Sequence, residues 1–136
     1  MLYVLLVAPR PLDIEYLRAA APDMLPVEQE AGRDRFVFAG VTPSLDVGLE
    51  PGLDKTDWQD EPEHMARIAS IGPSPEIYFV HYQSVERLKA VLCRVANSAE
   101  FIIDDDYDLF VTGDEFARRC AAAPGRNDWW LGSIHA

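Results

Sequence analysis

The sequence predicts a single α+β domain in which helices pack on a mostly antiparallel sheet. The chain has 136 residues, of which 49% are hydrophobic and 26% are charged, so it can bury one hydrophobic core. Short apolar or alternating runs bounded by proline and glycine are typical of strands. Between them lie segments whose apolar residues recur at the three- and four-residue spacing of a helix. We therefore expect residues 1–136 to form one compact domain.

The first half of the chain predicts the order strand, helix, three strands and helix. Leu2–Ala8 is a continuous apolar run, which suits a strand covered on both faces. The next helix ends at Pro22, because proline cannot continue a helical hydrogen-bond ladder. Pro62 suits the first turn of the second helix. The strands fall at residues 27–30, 35–39 and 45–49 and the helices at 12–21 and 62–72, with a hairpin turn at Gly32 and a charged loop at 51–60.

The second half predicts the order strand, helix, two strands and helix. Glu76–Tyr82 is rich in aromatic and β-branched residues and is the strongest strand signal in the chain. Ser84 suits the N-cap of the following helix. Thr112 and Glu115 have the spacing of a capping box, which predicts the start of the last helix. The other features are strands at 101–103 and 107–111, a hairpin turn at 104–106, and a Trp129-Trp130 pair folded back onto the domain.

Acidic residues are concentrated in two segments. The chain carries 12 Lys and Arg against 23 Asp and Glu, a net charge of −11. Residues 46–63 hold seven acids and one lysine, and residues 100–115 hold seven acids and no base, so these segments carry −6 and −7 and the rest of the chain is net +2. An acidic protein repels phosphate backbones, which argues against nucleic-acid binding. Two interpretations stay open: a surface for a basic partner, or solvated acids in turns and helix starts.

The first interpretation defines a set of candidate partner-binding residues. Trp58 lies among the acids of the first segment, and an aromatic side chain in a charged loop is a common interface anchor. The alternative for Trp58 is that its side chain folds back onto the core. The candidates are Asp54, Asp57, Trp58, Asp60 and Glu61 in the first segment, and Asp104, Asp105, Asp106 and Asp108 in the second.

The sequence contains few motifs that would indicate catalysis, a cofactor or a metal site. The chain has no Walker loop, no dinucleotide-binding glycine motif and no G-x-S-x-G motif, so we expect neither an enzyme nor a cofactor. Acids at the first, third, fifth and twelfth positions of residues 104–115 match an EF-hand calcium loop. Leu109 stands at the sixth position, where that loop needs glycine, so a hairpin turn is favoured over a metal site.

The cysteines and the apolar start of the chain indicate its compartment. Cys93 and Cys120 both fall in predicted helices, which favours two reduced, buried thiols in a cytoplasmic protein. Leu2–Ala8 lacks the preceding basic residues of a signal peptide. No other apolar run approaches the length of a membrane span, so we expect no membrane association.

Several motifs in the second half resemble a known family. They are Phe101-Ile102-Ile103-Asp104-Asp105-Asp106, Gly113-Asp114-Glu115-Phe116, Pro124 and the closing Trp129-Trp130. Together they resemble small acidic immunity proteins of bacterial interbacterial toxin systems, such as type VI secretion and contact-dependent inhibition. The resemblance implies a protein without chemistry of its own that binds a cognate toxin in the cytoplasm and blocks its active site or the entry of its substrate. We expect the protein to be a monomer or a homodimer.

Two alternatives remain beside that function. One is an adaptor or scaffold protein, with a homodimer formed through the apolar strand at residues 77–82. The other is a small enzyme whose site is assembled from scattered residues such as Glu63, His64 and His81.

Overall fold

The computed structural model describes residues 2–29, 35–52, 62–105 and 109–131, and they form the predicted α+β fold. The order of strands and helices is the one that the sequence predicts. The strands are β1 (Leu2–Ala8), β2 (Val27–Gln29), β3 (Arg35–Phe38), β4 (Val47–Pro51), β5 (Glu76–Tyr82), β6 (Ile102–Asp104) and β7 (Phe110–Thr112). The helices are α1 (Ile14–Ala20), α2 (Pro62–Ile71), α3 (Val85–Val95) and α4 (Gly113–Ala122).

The seven strands form one sheet in the order β2-β3-β4-β5-β1-β6-β7, with every neighbouring pair antiparallel. Strands β1 and β5 pair along their full length, from Leu2 opposite Tyr82 to Ala8 opposite Glu76. On its other edge β5 pairs with β4. Both edges of β5 are therefore occupied within the chain, which leaves this strand no edge for pairing with a second copy.

Helices cover the two faces of the sheet unequally. Apolar side chains of α1, α3 and α4, among them Leu17, Leu92 and Phe116, pack against one face and form the main core. Helix α2 packs against the opposite face, where Ile68 contacts a smaller cluster that includes Leu5. The α2 face of the sheet is only partly covered, and Tyr3 of β1 is 41% exposed there. No helix within the described ranges is long and apolar enough to cross a membrane.

Local hydrogen bonds explain where elements begin. Ser84 caps α3 as predicted, because its Oγ accepts a hydrogen bond from the Arg87 N–H at 3.2 Å. Strand β4 begins at Val47 instead of residue 45, because Pro43–Leu45 forms a 3₁₀ turn. Asp46 Oδ1 closes this turn by accepting a bond from the Gly40 N–H at 2.8 Å.

The predicted capping box of α4 is not formed. Thr112 occupies the N-cap position, but its hydroxyl donates to Asp114 Oδ1 at 2.5 Å and caps no backbone N–H. Asp114 Oδ1 also accepts from the Glu115 N–H at 3.0 Å. Glu115 instead forms ion pairs with Arg118 and Arg119, the next turn of the same helix.

Candidate partner-binding surface

The predicted residues of the first acidic segment fall outside the described residues. These are Asp54, Asp57, Trp58, Asp60 and Glu61. The structure does describe the residues on either side of them, Gly52 and Pro62. The Gly52 N–H, just after β4, donates to the Ile77 carbonyl at 2.5 Å, and Pro62 is the first residue of α2. The described residues on either side of these positions therefore lie beside β5 and at the start of α2.

The second acidic segment is partly buried. Asp104 and Asp105 are 5% and 2% exposed, while Asp106 and Asp108 fall outside the described residues. The Asp105 carboxylate accepts hydrogen bonds from the Leu109 N–H at 3.1 Å and the Leu131 N–H at 2.5 Å. Asp105 therefore stabilises the fold from inside, and Asp104 and Asp105 are both too buried to offer much surface to a partner.

The prediction of a hairpin in this segment is confirmed, but its strands lie further along the chain than predicted. Strands β6 and β7 pair antiparallel with Asp104 opposite Phe110, so Asp104 belongs to β6 and not to the turn that was expected at residues 104–106. Of the four acids that match the calcium-loop pattern, Glu115 is engaged by Arg118 and Arg119 and Asp104 is a buried strand residue. Within the part of the chain that the structure describes, no group of three or more His, Cys, Asp or Glu side chains could hold a metal.

A ring stack joins the two acidic segments. His64, in the first turn of α2, lies parallel to Phe110 of β7, with ring centroids 3.8 Å apart and planes 4° apart. Arg67, one turn further along α2, places its guanidinium 4.8 Å above the Phe110 ring. Its Nη1 also donates to the Phe110 carbonyl at 2.8 Å. The start of α2 is thereby fixed against the second strand of the β6–β7 hairpin.

The residues of the alternative enzyme site are not brought together. Glu63 and His64 lie at the start of α2, where His64 stacks on β7. His81 lies on β5, and strands β1 and β6 separate β5 from β7. The partner of His81 is Glu50, whose Oε2 lies 3.3 Å from His81 Nε2. The other oxygen of Glu50 accepts from Arg35 at 2.7 Å.

A half-exposed aromatic group on the α2 face was not predicted. Tyr3 is 41% exposed and meets Phe79 edge-to-face, with ring centroids 5.2 Å apart. His81 completes the group, 6.2 Å from Tyr3 and 6.4 Å from Phe79. The apolar runs of β1 and β5 predicted strands covered on both faces, and nothing in those runs shows that α2 covers only part of one face.

Comparisons of the chain with protein-family models, curated proteins and solved structures find no match.

Proposed function

We propose that the chain is an immunity-type inhibitor that binds a basic protein toxin through one acidic surface at the start of α2 and the β6–β7 hairpin. The observation that supports this is the stack of His64 on Phe110. In the sequence the acidic segments are separated by the whole of β5 and α3, yet the stack joins their flanking residues.

Further acids lie close to this position in the sequence. Glu61 precedes His64 by three residues and Asp108 precedes Phe110 by two. In this proposal the two acidic segments contribute to one negatively charged surface. The only Lys or Arg in α2 is Arg67, which is held against Phe110.

A merged acidic surface suits a toxin that acts on nucleic acid or a nucleotide. The active site of such a toxin is basic, because it must hold phosphate groups. An acidic surface is attracted to that site, speeds the encounter and excludes the substrate while bound. In this proposal Trp58 supplies an aromatic anchor among the acids, and the chain performs no chemistry itself. The complex would form in the cytoplasm of the bacterium that makes both proteins.

The test is affinity capture from the lysate of the native cell, followed by a toxicity assay. The test variant carries Asp57→Asn, Asp60→Asn, Asp106→Asn and Asp108→Asn. The matched control carries Glu15→Gln, Asp23→Asn, Glu28→Gln and Asp128→Asn, which remove the same charge from exposed positions elsewhere. We expect the wild type and the control to capture one basic protein in a salt-sensitive manner and to rescue cells that express it.

The test variant should lose both capture and rescue. Equal capture by both variants would overturn the acidic-surface proposal, and a captured protein that is harmless when expressed would overturn the toxin assignment. The aromatic group on the α2 face favours a second candidate, an adaptor that binds a partner there. Capture that survives neutralisation of the acids but is lost in Tyr3→Asp would support the adaptor function.

A further inference from the structure

A groove lies on the α2 face of the sheet, across strands β3, β4 and β5. One row of cross-strand partners crosses it, from Val37 on β3 through Gly48 on β4 to His81 on β5. Gly48 has no side chain, and a Cβ at this position would meet only the Phe36 carbonyl oxygen, at 3.9 Å. The missing side chain leaves a cavity of about 320 Å³ that Val37 and His81 line.

The spacing of the strands gives this groove two walls. Neighbouring strands of a sheet lie about 4.8 Å apart, so the Cα atoms of Val37 and His81 are roughly 10 Å apart on either side of Gly48. Side chains stand approximately perpendicular to a sheet, so the valine and the imidazole rise on the two sides of the glycine. This arrangement leaves room for a flat group between them. Pro43 also lines the groove and adds apolar surface for a hydrocarbon stem.

The polar groups of the groove favour a cationic hydrogen-bond donor. Among the described residues that line it, Asp46 is the one carboxylate and there is no lysine or arginine. Asp46 Oδ1 accepts from the Gly40 N–H at 2.8 Å, while Oδ2 has no partner in the part of the chain that the structure describes. Gln29 and Gln83 are exposed lining residues that add amide oxygens. A carboxylate forms its strongest hydrogen bonds with charged donors.

Two arginines near the groove are engaged elsewhere. Arg35 lies on the same face of the sheet, and its Nη2 donates to Glu50 Oε1 at 2.7 Å. Arg87 of α3 donates from Nε to the Leu45 carbonyl at 3.2 Å. The Asp46 carboxylate is therefore left without a cationic partner among the described residues.

We propose that the groove over Gly48 binds the guanidinium group of an arginine side chain that a partner protein presents. A guanidinium is flat, always charged and carries five N–H donors, and it stacks on ring side chains such as the His81 imidazole. Two of its N–H groups pair with one carboxylate, here that of Asp46. The apolar stem of the arginine lies along Val37 and Pro43. The groove crosses β3–β5, so this inference does not rest on the toxin-binding surface proposed at α2 and the β6–β7 hairpin.

The test follows the backbone amides of the full-length chain by heteronuclear NMR while Nα-acetyl-arginine N-methylamide is added. The matched probe is the corresponding citrulline compound, which has nearly the same shape without the charge. We expect saturable shift changes at Gly48 and His81 with the arginine compound, with a Kd on the order of 1 mM. The citrulline compound should bind at least about tenfold more weakly.

Three variants locate the binding. Asp46→Asn keeps the Oδ1 acceptor of the Gly40 N–H but loses the charge, and should weaken binding at least about fivefold. Gly48→Val fills the groove and should abolish the saturable shifts. Glu15→Gln removes a charge from α1, on the opposite face of the sheet, and should bind like the wild type. Should Gly48→Val not fold, the comparison of Asp46→Asn with Glu15→Gln decides by itself.

Three results would overturn the arginine site: no saturable shift, equal binding of the arginine and citrulline compounds, or equal binding by Asp46→Asn and Glu15→Gln. Shifts confined to the two acidic segments would also overturn it, while leaving the proposed toxin-binding surface in place.

Discussion

Asp105 and Leu131 are joined by a 2.5 Å hydrogen bond from the Leu131 N–H to Asp105 Oδ2, which ties the β6–β7 hairpin to the segment that follows α4. The other carboxylate oxygen of Asp105 accepts from the Leu109 N–H within the hairpin. One acid of the second acidic segment therefore holds two parts of the chain together. Replacing Asp105 should therefore lower the free energy of unfolding.

Asp105→Ala should lower the free energy of unfolding by about 2–4 kcal/mol, because it leaves two buried N–H groups without their acceptor. Asp105→Asn should cost less, since its carbonyl oxygen replaces one of the two acceptors. Urea denaturation of the two variants checks the order. Asp128→Asn, which alters an exposed carboxylate, serves as the control and should change stability little. A cost no larger for Asp105→Ala than for the control would contradict the structural role.

Gly113→Ala should be among the most damaging small substitutions in the chain. A Cβ at this position would overlap the Ala96 carbonyl oxygen at the end of α3, and it would lie 3.1 Å from the Ser98 carbonyl oxygen. The helix start would have to move, although the Gly113 N–H is bonded to the Phe101 carbonyl at 2.9 Å. We expect a loss of about 3 kcal/mol or more by thermal or urea unfolding.

The matched control for that prediction is Gly48→Ala in β4. Its nearest neighbour would be the Phe36 carbonyl oxygen at 3.9 Å, an ordinary contact. Alanine should therefore be neutral or stabilise the strand by up to about 1 kcal/mol. If the two glycine substitutions had equal effects, the tight approach of α4 to the end of α3 would be refuted.

The alkylation of Cys93 should depend on pH near neutrality. Interaction with the Cys120 side chain is the main cause that lowers the pKa of Cys93 to about 7, so the rate with iodoacetamide should reach half its plateau near that pH. Cys120→Ala removes this interaction and should shift the midpoint upward, whereas Cys120→Ser keeps a donor and should shift it less. A midpoint in the ordinary thiol range for the wild type would contradict the lowered pKa of Cys93.

The free energy of unfolding should also depend on the ionisation of Cys93. The folded pKa of Cys93 lies below that of the unfolded thiol, so folding releases a proton between the two values. The free energy of unfolding should therefore rise with pH from about 7 toward the unfolded thiol range, and this gain is lost as the pH falls through about 7. Cys93→Ser should flatten the dependence.

The two acidic segments should repel each other measurably. A double-mutant cycle pairs Asp57→Asn/Asp60→Asn with Asp106→Asn/Asp108→Asn. At low salt, we expect a coupling of roughly 0.5–1 kcal/mol, because neutralising one segment removes part of the repulsion that neutralising the other relieves. In about 1 M salt, where charges are screened beyond about 3 Å, the coupling should vanish.

The control for the cycle replaces the second pair with Glu15→Gln and Asp23→Asn. These residues lie on and just after α1, on the face of the sheet opposite α2. Their effects should add to those of the first pair within about 0.5 kcal/mol. Additivity in both cycles would show that the segments do not share one surface.

The helices and strands could be predicted from the sequence, because the residues that determine each of them lie within one short stretch of chain. The apolar spacing of α3 and the cap at Ser84 lie within one stretch of chain, and both are confirmed. Contacts between distant stretches left no such local signal. The neighbours of β5 and the stack of His64 on Phe110 both depend on how the strands and helices assemble.

Charge patterning was the least reliable guide to the candidate site. Asp104 and Asp105 have the composition of an exposed turn, yet both are buried. A buried carboxylate that accepts backbone hydrogen bonds is indistinguishable in sequence from a solvated one. The capping box failed for a related reason, because Asp114 competes for the groups that Thr112 and Glu115 were expected to share.

The position of β1 has a consequence for how the protein is made. Its two neighbours in the sheet, β5 and β6, are both encoded in the second half of the chain. A nascent polypeptide that has emerged only as far as α2 thus contains β1 without either partner, together with a β2–β3–β4 meander to which β1 does not pair directly. Neither half of the chain contains all the strands of the sheet centre. Most of the chain must therefore be synthesised before β1 can pair with β5 and β6.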